Sequence, residues 1–193
     1  MIFTHKNSPN SLGKTSILLL SIIFLLSLQA LSQTVFCHYM MGNSYDSNKD
    51  SFTNDITLAS QAGIDGFALN IGPDDWMLDR ISQMFDAATA FPNFKLFFSF
   101  DMAVISDAAT LIKYVKQYHT HPNSFIYQDR YFVSTFAGES QTFGQATLND
   151  GWQTQFKDPS SAAGINVYFM PSWTALGPDQ IFENNPVVDG MFS

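Results

Sequence analysis

The chain has 193 residues, 46% of them hydrophobic, 15% aromatic and only 13% charged, with nineteen Phe, eight Met and three Trp. That composition excludes an intrinsically disordered polymer, and the length suits one domain or two. Nine Lys and Arg against seventeen Asp and Glu leave a net charge of -8, so no basic patch is available for phosphates and nucleic acid is excluded as a partner. A single Cys excludes a disulfide framework and a Cys-based zinc module.

Residues 1–15 are polar and contain Lys6 and Lys14 but no acid. Residues 17–28, ILLLSIIFLLSL, then form an apolar run shorter than the roughly 20 residues of a spanning helix. Ala30 and Ser32 place small side chains three and one positions before a cut ahead of Gln33. A secretory signal peptide is therefore expected over residues 1–32, with an uncleaved signal anchor as the alternative. Its removal leaves seven Lys and Arg against seventeen Asp and Glu, a net charge of -10, which suits a neutral polymer better than a polyanion. The expectation is a secreted protein, extracellular or in a cell wall, with no membrane association after cleavage. No Asn-x-Ser/Thr sequon occurs.

After the leader, apolar runs alternate with helical patterns. Residues 34–40 (TVFCHYM) predict a first strand, 50–62 a helix ending at Gly63, 64–71 (IDGFALNI) a second strand and 74–90 a helix with a broad apolar face. Residues 95–100 (KLFFSF) read as a third strand, apolar throughout as when both sheet faces are covered. A helix is expected over 106–118 with Ser106 as its N-cap. Residues 125–127 and 131–136 would form a small hairpin leading into the fourth strand. Residues 149–156 read as helix, 165–170 (INVYFM) as a fifth strand, 175–182 as a short helix and 187–192 as the start of a sixth strand. Cys37, in the first strand, is expected to be a buried small hydrophobe.

Alternating strands and helices predict an α/β protein with a parallel sheet. An open doubly wound sheet is disfavoured because Met41-Gly42-Asn43-Ser44 lacks the glycine spacing of a phosphate loop. A (β/α)8 barrel is expected instead. It would be truncated after about five and a half strand–helix units, because 161 residues are too few for the ~250 of a complete barrel.

Barrel sites form at the C-terminal ends of strands, and polar residues collect there: His38-Tyr39-Met40, Asn70 to Trp76, Ser99-Phe100-Asp101, Ser134 to Glu139, and Pro171-Ser172-Trp173. Carboxylates, amides, hydroxyls and aromatic faces together suit sugar rings. Glycoside hydrolysis needs two carboxyl groups flanking the bond, and Asp101 and Glu139, ending adjacent strands, are the pair the spacing nominates. Each candidate has a structural alternative. Asp101 would cap a loop, Glu139 would be a solvated acid, and Asp74 and Asp75 would complement a helix dipole. His38 would be a satisfied core histidine and Trp173 would pack beneath a loop. His119 and His121 sit at a helix end with no third ligand, so no metal is expected.

Five segments carry a resemblance: VFCHYMMGNSY at 35–45, AGIDGFALNIGPDDW at 62–76, KLFFSFDM at 95–102, FVSTFAGES at 132–140 and NVYFMPSW at 166–173. In this order they are similar to the fungal α-1,3-glucanases, or mutanases, of glycoside hydrolase family 71. The resemblance implies a (β/α)8 catalytic domain, secretion, no cofactor, and endo-type hydrolysis of α-1,3-glucan with inversion. It places His38, Asn70, Asp75, Asp101, Glu139 and Trp173 along the substrate cleft. It also implies that the acid and base belong to an Asp-Tyr-Gly-Glu type segment beyond Ser193, against the nomination of Asp101 and Glu139. The expected partner is α-1,3-glucan polysaccharide and the expected state a monomer. The alternatives are a truncated paralogue that binds α-glucan without cleaving it, and a barrel hydrolase acting on another glucan.

Overall fold

The computed structural model describes residues 33–191; the expected leader and Phe192 lie outside the described residues. Six strands occur in this range: β1 (Phe36–Met40), β2 (Gly66–Ile71), β3 (Lys95–Asp101), β4 (Ile126–Tyr127), β5 (Arg130–Phe136) and β6 (Val167–Phe169). Six α-helices accompany them: α1 (Lys49–Gln61), α2 (Met77–Ala88), α3 (Ala108–Tyr118), α4 (Leu148–Trp152), α5 (Asp158–Ala162) and α6 (Pro178–Asn184). β1, β2, β3 and β5 are hydrogen-bonded in that order, all parallel, and β6 joins the far edge of β5, also parallel.

The expected hairpin is present. β4 pairs antiparallel with the start of β5 through Gln128 and Asp129, whose φ values are 50° and 58°. Two successive positive φ angles make the turn whose twist matches that of the flanking strands. The hairpin fills the gap between β3 and β5 at their N-terminal ends, where Phe125 N–H donates to the Leu96 carbonyl at 2.9 Å and Phe132 N–H to the Phe125 carbonyl at 3.1 Å.

Alternation along the strands splits the sheet into two faces. Leu69, Ile71, Phe98, Phe100, Val133 and Phe169 join Phe52, Ile56, Ile81, Phe85, Leu111 and Trp152 in the main core. The other face carries Ala68, Phe97 and Phe132, with Phe36, Phe125, Tyr168 and Met170 against them, and no helix residue enters that cluster. Phe98 is fully buried among Phe85, Phe100, Tyr114 and Tyr118, with ring centroids 5.4–5.9 Å away. Truncating such a ring to Ala costs about 3–5 kcal/mol. Tyr39, also on the helix side, donates to Asp55 Oδ2 at 2.7 Å; burial first, then Asp55, pushes its hydroxyl above the ordinary tyrosine range.

Four expectations need correction. The N-cap of α3 is Asp107, whose carboxylate accepts from Thr110 N–H at 2.8 Å, and not Ser106; a carboxylate there also complements the helix dipole. The helix foreseen over 149–156 extends over 148–162, with a π-helical turn at Gln153–Lys157 between α4 and α5. Pro159 lacks the N–H of a regular α-turn, and the wider turn just before it accommodates that loss. Cys37 is exposed and not buried, because β1 pairs only with β2 among the described strands and lies at a sheet edge.

The fourth concerns the expected sixth strand, which is absent over its described residues 187–191. There a turn brings Val188 N–H to the Asn185 carbonyl, and Asp189 docks on β6 instead of extending a ladder. Asp189 N–H donates to the Phe169 carbonyl at 2.8 Å, while Asp189 Oδ2 accepts from Phe169 N–H at 2.9 Å. The same carboxylate receives Arg130 at 2.7 Å and Lys157 at 2.9 Å. Arg130 also lies 4.4 Å above the Tyr168 ring. Burial works to raise the Asp189 pKa, but the Phe169 N–H, Arg130 and Lys157 outweigh it and hold the carboxyl below its usual range.

A second polar tie is Asn123, fully buried, whose Nδ2 lies 2.8–2.9 Å from the carbonyls of Ala88, Phe91 and Phe94. It fastens the turn between α2 and β3 to the turn before β4.

Asp189→Asn removes the charge that three donors converge on and is expected to destabilise the fold by about 2 kcal/mol at neutral pH. Because the folded carboxyl titrates below the unfolded one, the contribution is complete above about pH 5 and disappears as the pH falls below about 4. Urea titrations of both proteins at pH 7 and pH 3 check this: the gap between their midpoints should close in acid.

Candidate functional site at the strand ends

Parallel pairing sends the C-terminal ends of β1, β2, β3, β5 and β6 to one side of the sheet. On the face without helices, register aligns side chains in layers. His38, Ala68 and Phe97 share one level, continued by Phe132 beside Tyr168. Two residues further on, Met40, Asn70, Ser99 and Ser134 share the next. Asp101 pairs with Phe136, and Phe136 bridges to Ser172, at the rim. The face thus changes from aromatic to polar toward the strand ends. Asn70, Ser99 and Ser134 are all buried, and Asn70 Nδ2 donates to the Ser99 carbonyl at 3.5 Å.

The expected site residues fall into three groups. His38, Asn70 and Asp101 stand on the helix-free face or at its rim. His38 is exposed on edge strand β1, and Asp101 is half-buried, its Oδ1 accepting from Ala103 N–H at 3.1 Å. Asp74 and Asp75 lie exposed in the turn that opens α2, where Asp74 and Asp75 carbonyls accept from Met77 and Leu78 N–H. Asp75 also acts on α3: burial first, then Asp75, raises the Tyr114 hydroxyl.

Glu139 and Trp173 form the third group, in the loops after β5 and β6. Glu139 Oε1 accepts from Ala175 N–H at 3.1 Å, whereas its Oε2 is buried without a partner. Trp173 is only 1% exposed and packs with Trp152 and Phe169 on the helix side, its Nε1–H also unpartnered. The ring therefore supports the rim from beneath and turns no face to a ligand.

A short irregular turn aims Glu139. Ala137 and Gly138 adopt φ values of 56° and 108°. The turn is held on three sides: Thr135 Oγ1 donates to the Ala137 carbonyl at 2.7 Å, Ala137 N–H to the Ser172 carbonyl at 3.2 Å, and Trp152 Nε1–H to the Gly138 carbonyl at 3.3 Å. A Cβ at position 138 would lie 3.0 Å from the Trp152 ring and 3.1 Å from Met102 Cγ. Ser99 and Ser134, level with Asn70, stand among the polar residues at the strand ends in the sequence but not among the expected cleft residues. Their signal was a small polar residue at an inward position of an otherwise apolar strand.

Among the described residues, no group of three or more His, Cys, Asp or Glu side chains stands where it could hold a metal ion. His119 Nδ1 contacts the Lys116 carbonyl at 3.0 Å and His121 Nδ1 accepts from Asn123 N–H at 3.1 Å. An open cavity of about 610 Å³ lies between α3 and α5, lined by Ala109, Ile112, Lys113, Lys116, Gln117 and Pro159. It belongs to the helix layer and contains no acid. Within the described range no helix is long and apolar enough to cross a membrane.

In this α/β sheet, small polar groups and carboxylates stand at the C-terminal ends of parallel strands, where the sites of α/β proteins form. The sequence profile of glycosyl hydrolase family 71 matches residues 31–193, and the chain belongs to that family. It is 41% identical over 181 residues to a glucan endo-1,3-alpha-glucosidase of Schizosaccharomyces pombe, covering 92% of this chain and 42% of the relative. An ascus wall endo-1,3-alpha-glucanase of the same organism is 38% identical over 162 residues, covering 82% and 37%. A mutanase of Penicillium rubens is 36% identical over 118 residues, covering 60% and 26%. The chain thus spans about two fifths of the length of the first two relatives.

Gly138→Ala is expected to cost about 1–3 kcal/mol, since it combines a positive φ with a contact on Trp152. Thermal unfolding of the variant beside Ala137→Gly, which relaxes the same turn and should not destabilise, checks that backbone strain is the cause.

Proposed function

We propose that the protein is a secreted glycoside hydrolase of the endo-acting α-1,3-glucanase type, and that the described sheet is part of a (β/α)8 barrel. The observation that carries this reading is the polar layer of Asn70, Ser99 and Ser134 beneath Asp101, at the strand ends of a family 71 chain. Its relatives are named for action on 1,3-alpha-glucan, and the acidic surface suits a neutral polysaccharide. The leader-like residues 1–32 and the ascus wall for which one relative is named support secretion to the cell exterior or wall. The protein is read as a monomer.

In the inverting reaction a carboxylic acid protonates the leaving oxygen while a carboxylate activates water on the opposite face of the sugar. The family resemblance implies no metal or organic cofactor. The family resemblance assigns these roles to an Asp-Tyr-Gly-Glu type segment that the 193 residues do not contain. His38, Asn70, Asp75 and Asp101 are then sugar-binding groups: carboxylates and the amide accept and donate hydrogen bonds to hydroxyls. Glu139 keeps the loops after β5 and β6 together beside them. Trp173, buried beneath the rim, serves by holding Trp152 and Phe169 in place. Asp101 and Glu139 are the fallback acid–base pair.

A second reading, glucan binding without cleavage, shares the same sugar-binding rim. Co-sedimentation of the chain with insoluble α-1,3-glucan, with β-1,3-glucan and α-1,4-glucan as controls, tests the shared part, and release of reducing ends separates the two. Retention on α-1,3-glucan alone is expected, weakened about tenfold or more by Asp101→Asn through lost charge-assisted hydrogen bonds. Equal retention on all three polymers, or none, overturns the proposal. Mass analysis of protein recovered from culture medium should place the mature N-terminus at Gln33.

A further inference from the structure

The loop after β1 and the loop after β2 place two aromatic rings side by side, outside the cleft residues considered so far. Tyr45 is 61% exposed, the highest exposure given for a large hydrophobic side chain among the described residues. Its ring meets Trp76 edge to face, with centroids 5.2 Å apart and an interplanar angle of 80°. Trp76 is half-buried and rests against the main core. Both rings follow their strands by five residues and belong to the C-terminal side of the sheet, where the polar layer ends.

The exposure of Tyr45 is not that of a loose loop. Met41 is fully buried, Ser44 Oγ donates back to the Met41 carbonyl at 2.6 Å, and Arg80 Nε donates to the Tyr45 carbonyl at 2.9 Å. Gln83 of α2 accepts from Lys49 N–H at 2.9 Å and donates to Asp79 at 2.7 Å, and Asp79 pairs with Arg80. The loop is thus fastened to α2 at Tyr45 and at Lys49 and anchored before Tyr45 by buried Met41, and the ring is presented outward on this support. A ring this exposed contributes little to folding beyond its edge contact with Trp76. The Tyr45 hydroxyl has no partner among the described residues.

We propose that Tyr45 and Trp76 form a sugar-binding platform at the β1–β2 end of the rim, stacking on a pyranose ring of a glucan chain that continues toward Asn70 and Asp101. Three observations choose a carbohydrate as the occupant. Aromatic faces cover the C–H faces of pyranoses. The exposed carboxylates of Asp74 and Asp75 precede Trp76 directly and can accept from equatorial hydroxyls. The two loops also leave the C-terminal ends of β1 and β2, the same side of the sheet to which β3 brings Ser99 and Asp101. The platform rests on the glucan-binding reading above and adds to it a remote subsite, which makes affinity grow with chain length.

The test uses the full chain and soluble α-1,3-linked gluco-oligosaccharides of increasing length, with insoluble α-1,3-glucan as the polymer. Tyr45→Ala should weaken binding roughly three- to tenfold for the longest oligosaccharides and leave the shortest unchanged, and Tyr45→Phe should bind as wild type. Leu58→Ala removes comparable exposed apolar surface from α1 and should have no effect. Trp152 and Trp173 are buried, so a ligand-induced change in tryptophan emission that disappears in Trp76→Phe reports the platform directly. If wild type binds α-1,3-glucan and Tyr45→Ala binds equally at every length, the platform is refuted and the functional reading stands. If Tyr45→Ala and Leu58→Ala weaken binding alike, the effect is general surface chemistry and the platform is again refuted. If wild type does not bind α-1,3-glucan at all, both fail together.

Discussion

The in-register parallel pairing of β2, β3 and β5 is the constraint on which the rest of the molecule depends. Side chains alternate between faces with period two, so one register decides the environment of every residue on these strands. With Leu69, Phe98 and Val133 held under the helices, Asn70, Ser99 and Ser134 must share the opposite face. A slip by one residue would place the amide and both hydroxyls beneath α2 and α3 and turn Phe98 outward. Aromatic packing of Phe98 against Phe85, Tyr114 and Tyr118 is therefore also what aligns the polar layer.

Away from the strand ends, two polar side chains each gather several partners. Asp189 gathers two cations and a backbone N–H, and Asn123 reaches three carbonyls. Both act where the chain changes direction and no regular ladder is available. Buried atoms without a partner occur away from the strand ends, as at Ser160 Oγ, and also at the rim. Glu139 leaves one oxygen without a partner, Trp173 leaves its N–H, and Ala137 and Gly138 carry unusual backbone angles.

Family membership and geometry inform different questions. The profile match and the relatives identify the chemistry that this lineage performs. The sheet of this chain carries small polar groups on its helix-free face, with carboxylates at the strand ends and in the loops after them. Loops carrying function on a rigid sheet are the usual division in α/β enzymes.

Much of this was legible in the amino-acid sequence, because periodicity is a local property. The alternation of KLFFSF, INVYFM and their neighbours with amphipathic helices determined the strand order of events, the helix-facing core and the collection of polar residues at strand ends. The recurring segments determined the family. Tertiary structure decided what depends on distant partners. Trp173 was legible as an aromatic after a strand, but only the presence of Trp152 and Phe169 turned it inward. Asp189 sat in a run that reads as a strand, and only Arg130 and Lys157, 59 and 32 residues earlier, made it a docking point instead. Cys37 lay in an apolar run and is exposed because its strand forms an edge. Composition and spacing set which residues can be buried, while the neighbours brought by the fold set which of them are.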